Sequence, residues 1–209
     1  FGFRDGIGHP AVEGSGIPGS NSKEEPFKAG EFVLGYLDET GSMPPMPRPE
    51  VLGRNGTYVG LRKYQSRVGA FNRFLWANGR TEEERELLAA KLVGRWPDAS
   101  PLALTPDRPD PALGLDPDRV NAFDYSDDPD GIRCPLGAHI RRTNPRCGLA
   151  SDDALTARQR IVRRGMTYGP PLAEGAPDDG ADRGIFFVAY MADIERQYEF
   201  IQANWCNDG

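Results

Sequence analysis

The side chains in this chain able to hold a metal are few, and that scarcity narrows the chemistry. Only two histidines occur, His9 and His139, and the three cysteines (Cys134, Cys147, Cys206) form no C-x-x-C pair. A zinc centre built from histidine and cysteine needs more ligands than that, so zinc-dependent hydrolysis is disfavoured. A haem iron needs only one proximal imidazole. His139 stands in Cys134-Pro135-Leu136-Gly137-Ala138-His139-Ile140-Arg141-Arg142-Thr143-Asn144-Pro145-Arg146. The basic residues directly after it, Arg142 among them, suit the two carboxylates of haem propionates. Taken alone, the segment reads more readily as a core histidine beside a solvated arginine pair.

Two further segments could serve such a site. Asp5 lies in Gly2-Phe3-Arg4-Asp5-Gly6, where flanking glycines let the backbone approach a flat ligand and aim a carboxylate at it. An ordinary Asp-Gly turn is the plainer alternative. Arg163 lies in Arg160-Ile161-Val162-Arg163-Arg164-Gly165-Met166-Thr167-Tyr168-Gly169. On a strand, Arg163 and Arg164 point to opposite faces, so one can meet a buried site and the other solvent. An edge strand decorated with charge fits the same residues equally well. His9 is close enough to Asp5 in sequence to reach the same region, but a loop histidine is the better reading. Two patterns are set aside. Gly14-Ser15-Gly16-Ile17-Pro18-Gly19 matches the dinucleotide pattern but has no strand before it and no helix after it. Asn55-Gly56-Thr57 matches a glycosylation acceptor but sits where a hairpin turn is expected.

The elements that must position these residues are partly legible. Residues 57–64 read as a strand, with Ser66 expected to cap a helix carrying Val68, Phe71 and Leu75 on one face. Residues 185–190 read as a second strand. Asp193 is expected to cap a helix whose apolar stripe is Ile194, Tyr198, Ile201 and Trp205. Thr81 and Glu84 form a capping box for another helix, with Leu88, Leu92 and Trp96 at helical spacing. Further strands are expected at 31–37 and around 160–168, and exposed loop insertions at 97–118 and 174–183. Two strand-then-helix units predict a ferredoxin-like α+β fold, an antiparallel sheet with helices packed on one face and long loop insertions. No domain boundary is evident within residues 1–209.

Bulk properties set outer limits. A chain of 209 residues can bury one sizeable core, and its 25 glycines and 19 prolines imply much loop. A net charge of −6 argues against a nucleic-acid surface, and no apolar run is long enough to span a membrane. The acidic balance and odd cysteine count lean towards a reducing, cytoplasmic compartment. The chain opens without Met, directly at Phe1, and stops just after a helical pattern, which reads as a piece of a longer protein.

Together the segments resemble the dye-decolorizing peroxidase family. Its G-x-x-D-G signature is matched by Gly2–Gly6, and its proximal-histidine segment by Ala138-His139-Ile140-Arg141-Arg142 with Asn144-Pro145-Arg146. Its distal arginine strand is matched by Ile161-Val162-Arg163-Arg164-Gly165. Phe186-Phe187-Val188 and the run from Asp193 to Gln202 resemble its closing strand and helix. The resemblance implies one haem b per chain, with His139 as proximal iron ligand, Asp5 and Arg163 as the catalytic pair on the distal side, and Arg142 at a propionate. It implies hydrogen peroxide and bulky, phenolic or dye-like reductants as partners, with homo-oligomers an open option. It also implies a ferredoxin-like domain that is half of a dimeric α/β-barrel-type fold. An N-terminal half and the extreme C-terminus would then lie outside this chain. Asp193 is the one candidate within it for a carboxylate behind His139. Asp5 would move a proton between the peroxide oxygens and Arg163 would stabilise charge as the O–O bond breaks. A carboxylate base stays ionised at lower pH than imidazole, with ordinary values of about 4 and about 6.5, so an acidic optimum is expected. The competing readings are a haem protein for iron release or storage on the same fold, and a haem-free interaction domain.

Overall fold

The computed structural model describes all residues except 7, 22–23, 147–152, 174 and 208–209. Strand β1 (Tyr58–Gln65) is followed by helices α1 (Val68–Asn78) and α2 (Glu82–Val93). Three short helical segments come next: α3 (Pro111–Gly114), α4 (His139–Thr143) and α5 (Asp153–Arg158). Strands β2 (Val162–Arg163), β3 (Met166–Tyr168) and β4 (Gly184–Met191) complete an antiparallel sheet. The chain closes with two consecutive helical segments of the wide π type, α6 (Ile194–Glu199) and α7 (Ile201–Cys206). The fold is the expected ferredoxin-like α+β arrangement.

β4 is the centre of the sheet, with β1 along one edge and β2 and β3 along the other. β2 and β3 keep one register against β4, and Arg164 N–H donates to the Val188 carbonyl between them (2.8 Å). Pairing partners share a face, so Gly60, Arg62 and Tyr64 lie on the same side as Ala189, Phe187 and Arg163. Tyr198 of α6 covers that face. Its ring stands 5.8 Å from Phe187, and its hydroxyl is 2.9 Å from that of Tyr64. Val59 and Leu61 point the other way and are about half exposed.

Two small cores underlie the sheet and the helices. One joins Ala189, Met191 and Tyr198 with Tyr58, Ile161 and Phe187. The other joins Ala90 of α2 with Trp96, Leu102, Phe123, Tyr125, Cys134 and Ala138. Thr81 caps α2 with the expected box: its hydroxyl accepts from Glu84 N–H and the Glu84 carboxylate reaches back. Gly94 ends α2 in the left-handed region (φ 93°), which a side chain rarely adopts. A Cβ there would also lie 2.4 Å from Ile140, so the same glycine lets α4 close against α2.

Several local expectations are corrected. Ser66 does not cap α1; Arg67 occupies that position without a side-chain hydrogen bond. The buried face of α2 is Ala89 and Ala90, while Leu92 is exposed and Trp96 lies beyond the helix in the core. Residues 31–37 form no strand. Gly35 takes φ 91°, and the Glu31 carbonyl is drawn to Ala192 N–H and the Gln197 amide instead of to a neighbouring strand. Residues 97–118 are not simply exposed, because Ala99, Ser100, Leu102 and Leu113 are buried and Trp96 Nε1 donates to the Thr105 carbonyl at 2.7 Å. Ile194 is half out of the expected stripe, whereas Tyr198 and Ile201 are buried. Asp193 caps α6, as expected, by accepting from Arg196 N–H. Residues 14–19 are loop, and Asn55 turns at φ 63°. Cys134 and Cys206 are unpaired thiols, and Cys147 and Glu174 lie outside the described residues.

The junction of β4 and α6 is held by Gln197, which is fully buried. Its carbonyl accepts from Ala192 and Asp193 N–H, and its amide donates to the carbonyls of Glu31 (2.9 Å) and Arg160 (2.5 Å). Leucine at 197 leaves the Asp193 N–H and the Arg160 carbonyl without this partner, each costing about 1–3 kcal/mol, while Ala192 N–H and the Glu31 carbonyl keep each other. The Gln197→Leu variant is therefore expected to unfold in urea with a loss of at least about 2 kcal/mol. A midpoint equal to the wild type would show that this junction does not hold the sheet to the helix.

Candidate functional site

His139 is the first residue of α4, and the preceding turn is fixed by a buried ion pair. Asp128 Oδ2 lies 3.1 Å from Arg141 Nη1, with both side chains 6 % exposed. The Arg141 guanidinium also donates to the carbonyls of Cys134 and Asp128, each at 2.7 Å, and lies over the Tyr125 ring. Asp128 in turn accepts from the N–H groups of Ile132, Arg133 and Cys134. Burial alone would raise the Asp128 carboxyl, but these donors and Arg141 more than offset it and hold it below the usual carboxylate value.

Asp5 comes from a different direction. Its loop is tied to the turn after α2, with Arg4 N–H donating to the Pro97 carbonyl at 3.0 Å and Asn121 Nδ2 donating to the Gly6 carbonyl at 2.6 Å. Arg163 is aimed from the sheet, on the face that α6 covers. The segment leading to it is anchored by Gln197 at the Arg160 carbonyl, by Arg196 at the Arg158 carbonyl, and by the Arg160–Glu24 pair at 3.2 Å.

The charged groups that act on the His139 imidazole are Arg163 and Asp5. His139 is exposed by area, yet burial by surrounding protein, with help from the Arg163 charge, lowers its pKa below the usual histidine value. The ring is thus crowded by protein while part of its surface stays open to solvent. A Cβ on Gly137 would meet nothing within 4 Å, so open space adjoins this turn. His9 faces the same region: burial first, then Arg164 and Arg163, lower its pKa, while Asp5 opposes them. Its Nδ1 is buried without a hydrogen-bond partner among the described residues. The donor set suits a haem. A neutral imidazole, the form favoured here, offers a lone pair to iron, and a carboxylate and a guanidinium stand within its electrostatic reach.

The C-terminal model of Dyp-type peroxidases matches residues 48–209. The chain belongs to the dye-decolorizing peroxidase family. It is 35% identical over its whole length to dye-decolorizing peroxidase msp1 of Mycetinis scorodonius, covering 42% of that protein. An ancestral D-type dye-decolorizing peroxidase superposes with a TM-score of 0.87 at 36% identity, over 99% of this chain and 46% of the other. A dye-decolorizing peroxidase in complex with 2,6-dimethoxyphenol gives a TM-score of 0.83 at 34% identity, over 99% of this chain and 48% of the other. The chain thus spans less than half the length of these relatives. Dye-decolorizing peroxidases are haem enzymes.

Within this member of the dye-decolorizing peroxidase family, the structure treats the expected residues unequally. Asp5 and Arg163 stand within electrostatic reach of His139. Arg142 is committed in part elsewhere, since its Nε donates to the Trp205 carbonyl at 2.5 Å and ties α4 to α7. The Asp193 carboxylate is occupied at the start of α6, by Arg196 N–H at 3.0 Å, and does not figure among the charges acting on His139. Sequence reasoning passed over Arg95, Asn121 and Asp128, whose roles depend on partners distant in the chain. It also ranked His9 as a loop residue, and the adjoining Asp5-Gly6 was the one local hint to its location.

Replacing Asp128 by Asn leaves the Arg141 charge buried without a counterion, a change that costs about 3–5 kcal/mol. Because the Asp128 carboxyl titrates lower folded than unfolded, its stabilisation is complete above the ordinary aspartate value of about 4. It is lost as pH falls through the lower folded-state value. Denaturation measured across pH is expected to show this acid-labile component in wild type and its absence in Asp128→Asn. Equal stability of the two proteins at neutral pH would contradict the clamp.

Proposed function

We propose that this chain is the haem-binding domain of a peroxidase, with one haem b held by His139 and with Asp5 and Arg163 activating hydrogen peroxide. The observation that carries this reading is a solvent-accessible but protein-enclosed His139 on whose imidazole the charges of Arg163 and Asp5 act. Haem bound there supplies an iron centre through which peroxide can oxidise phenolic or dye-like reductants in one-electron steps. His139, kept neutral by burial, provides the ligand on one side. Asp5 accepts the proton of one peroxide oxygen and returns it to the other. Arg163 donates to the oxygen on which negative charge gathers as the O–O bond breaks. Arg142, with only its Nε engaged in a described contact, is the residue offered to a propionate. The acidic charge and unpaired thiols support a reducing, cytoplasmic setting for the protein.

The test is the rate of reaction of the haem-loaded protein with hydrogen peroxide, in wild type, Asp5→Asn and Arg163→Leu. Each variant is expected to keep its haem spectrum and to react about a hundredfold or more slowly. Steady-state oxidation of 2,6-dimethoxyphenol by the wild type is expected to be fastest in acid. Unchanged rates in both variants, or activity climbing steadily to about pH 8, would overturn the assignment of the base, whose ordinary range is acidic.

A further inference from the structure

Arg95 follows Gly94 at the end of α2 and is 7 % exposed. Its Nη1 donates to the carbonyls of Ala99 (2.8 Å) and Val120 (3.0 Å), and its Nη2 donates to Asn121 Oδ1 (2.6 Å). Asn121 uses its other end, Nδ2, to hold the Gly6 carbonyl at 2.6 Å. The guanidinium is also pressed flat against Gly6 itself. A Cβ there would stand 2.6 Å from Arg95 Cζ, 2.8 Å from Nη2 and 2.9 Å from Nη1. Gly6 adjoins Asp5, and Asp5 is the carboxylate whose charge acts on Arg95.

We infer that Arg95 is a positioning residue for Asp5. Its guanidinium is the floor on which Gly6, the residue after Asp5, rests, and Asn121 bolts the Gly6 carbonyl to that floor. Two independent constraints therefore meet on one backbone unit, a steric one at the Gly6 Cα and a hydrogen-bonded one at its carbonyl. The planar guanidinium is essential to both, because it presents a flat face to glycine and an edge to Asn121 and two carbonyls at once. Lysine keeps the positive charge but has neither the face nor the fork. The second glycine of the Gly2–Gly6 segment is thus required by a contact with α2's end.

The inference rests on the proposed role of Asp5, and a mutant cycle separates the two. Wild type, Asp5→Asn, Arg95→Lys and the double variant are loaded with haem and mixed with hydrogen peroxide. Since a displacement of about 1 Å at a reacting group can cost up to about a hundredfold, Arg95→Lys is expected to slow the reaction about tenfold or more. In the Asp5→Asn background the same change is expected to cost less than about twofold, because the group it positions is already disabled. Equal losses in both backgrounds would overturn the inference while leaving Asp5 its role. No loss in Asp5→Asn alone would remove the role of Asp5 and the inference with it.

A second readout needs no haem. In the haem-free protein, Gly6→Ala is expected to lower the thermal midpoint by about 3 °C or more in the presence of Arg95, and by clearly less in the Arg95→Lys background. Additive shifts would show that Arg95 does not form the seat of Gly6.

Discussion

A guanidinium taken out of water must find several acceptors at once, and among the described residues this fold buries three of them close in sequence to, or bonded to the loops of, the candidate site residues. Arg95, Arg141 and Arg160 are each less than a tenth exposed. Burial pushes Arg95 and Arg160 down to about 10, which leaves both charged at neutral pH. Each such cation costs several kcal/mol unless its hydrogen bonds are complete, so the surrounding backbone is held where the acceptors are needed. Each also belongs to the support of one candidate site residue. Arg141 organises the turn before His139, Arg95 seats Gly6 next to Asp5, and Arg160, paired with Glu24 and lying over Phe27, begins the segment that ends in Arg163.

This division explains why two modest cores suffice. The cluster around Trp96, Phe123 and Tyr125 includes Ala138, the residue before His139. The cluster around Met191 and Tyr198 includes Ala189, the register partner of Arg163, and Ile161. One core supports the turn before His139 and the other the strand carrying Arg163, and the loop carrying Asp5 is fastened beside the first of them through Asn121 and Pro97. The neutral state of the imidazole follows from that enclosure, since desolvation disfavours the charged ring and the Arg163 charge acts in the same sense.

The parts of this arrangement legible in the sequence are those encoded by neighbours. The capping box at Thr81 and Glu84, the Asp193 cap and the apolar run of β4 are encoded within a few residues. The motifs around Asp5, His139 and Arg163 were legible as types and order. What was not legible depends on long-range closure. Residues 31–37 look like a strand, yet Glu31 is buried by Arg196 and Gln197, which lie at the far end of the chain. The Pro- and Asp-rich stretch after Trp96 looks like a solvated loop, yet it supplies Leu102 to the core and Ala99 to Arg95. No local pattern reveals that Gly6 is small because of an arginine about ninety positions away.

The proposal on which the account turns is that His139 and not His9 is the iron ligand. The direct measurement is the electron paramagnetic resonance spectrum of the haem-loaded protein prepared with 15N-labelled histidine, where nuclear hyperfine coupling reports an imidazole bound to iron. The coupling is expected in wild type, to survive His9→Gln and to vanish in His139→Ala. Coupling that persists in His139→Ala, or is lost in His9→Gln alone, would contradict the assignment.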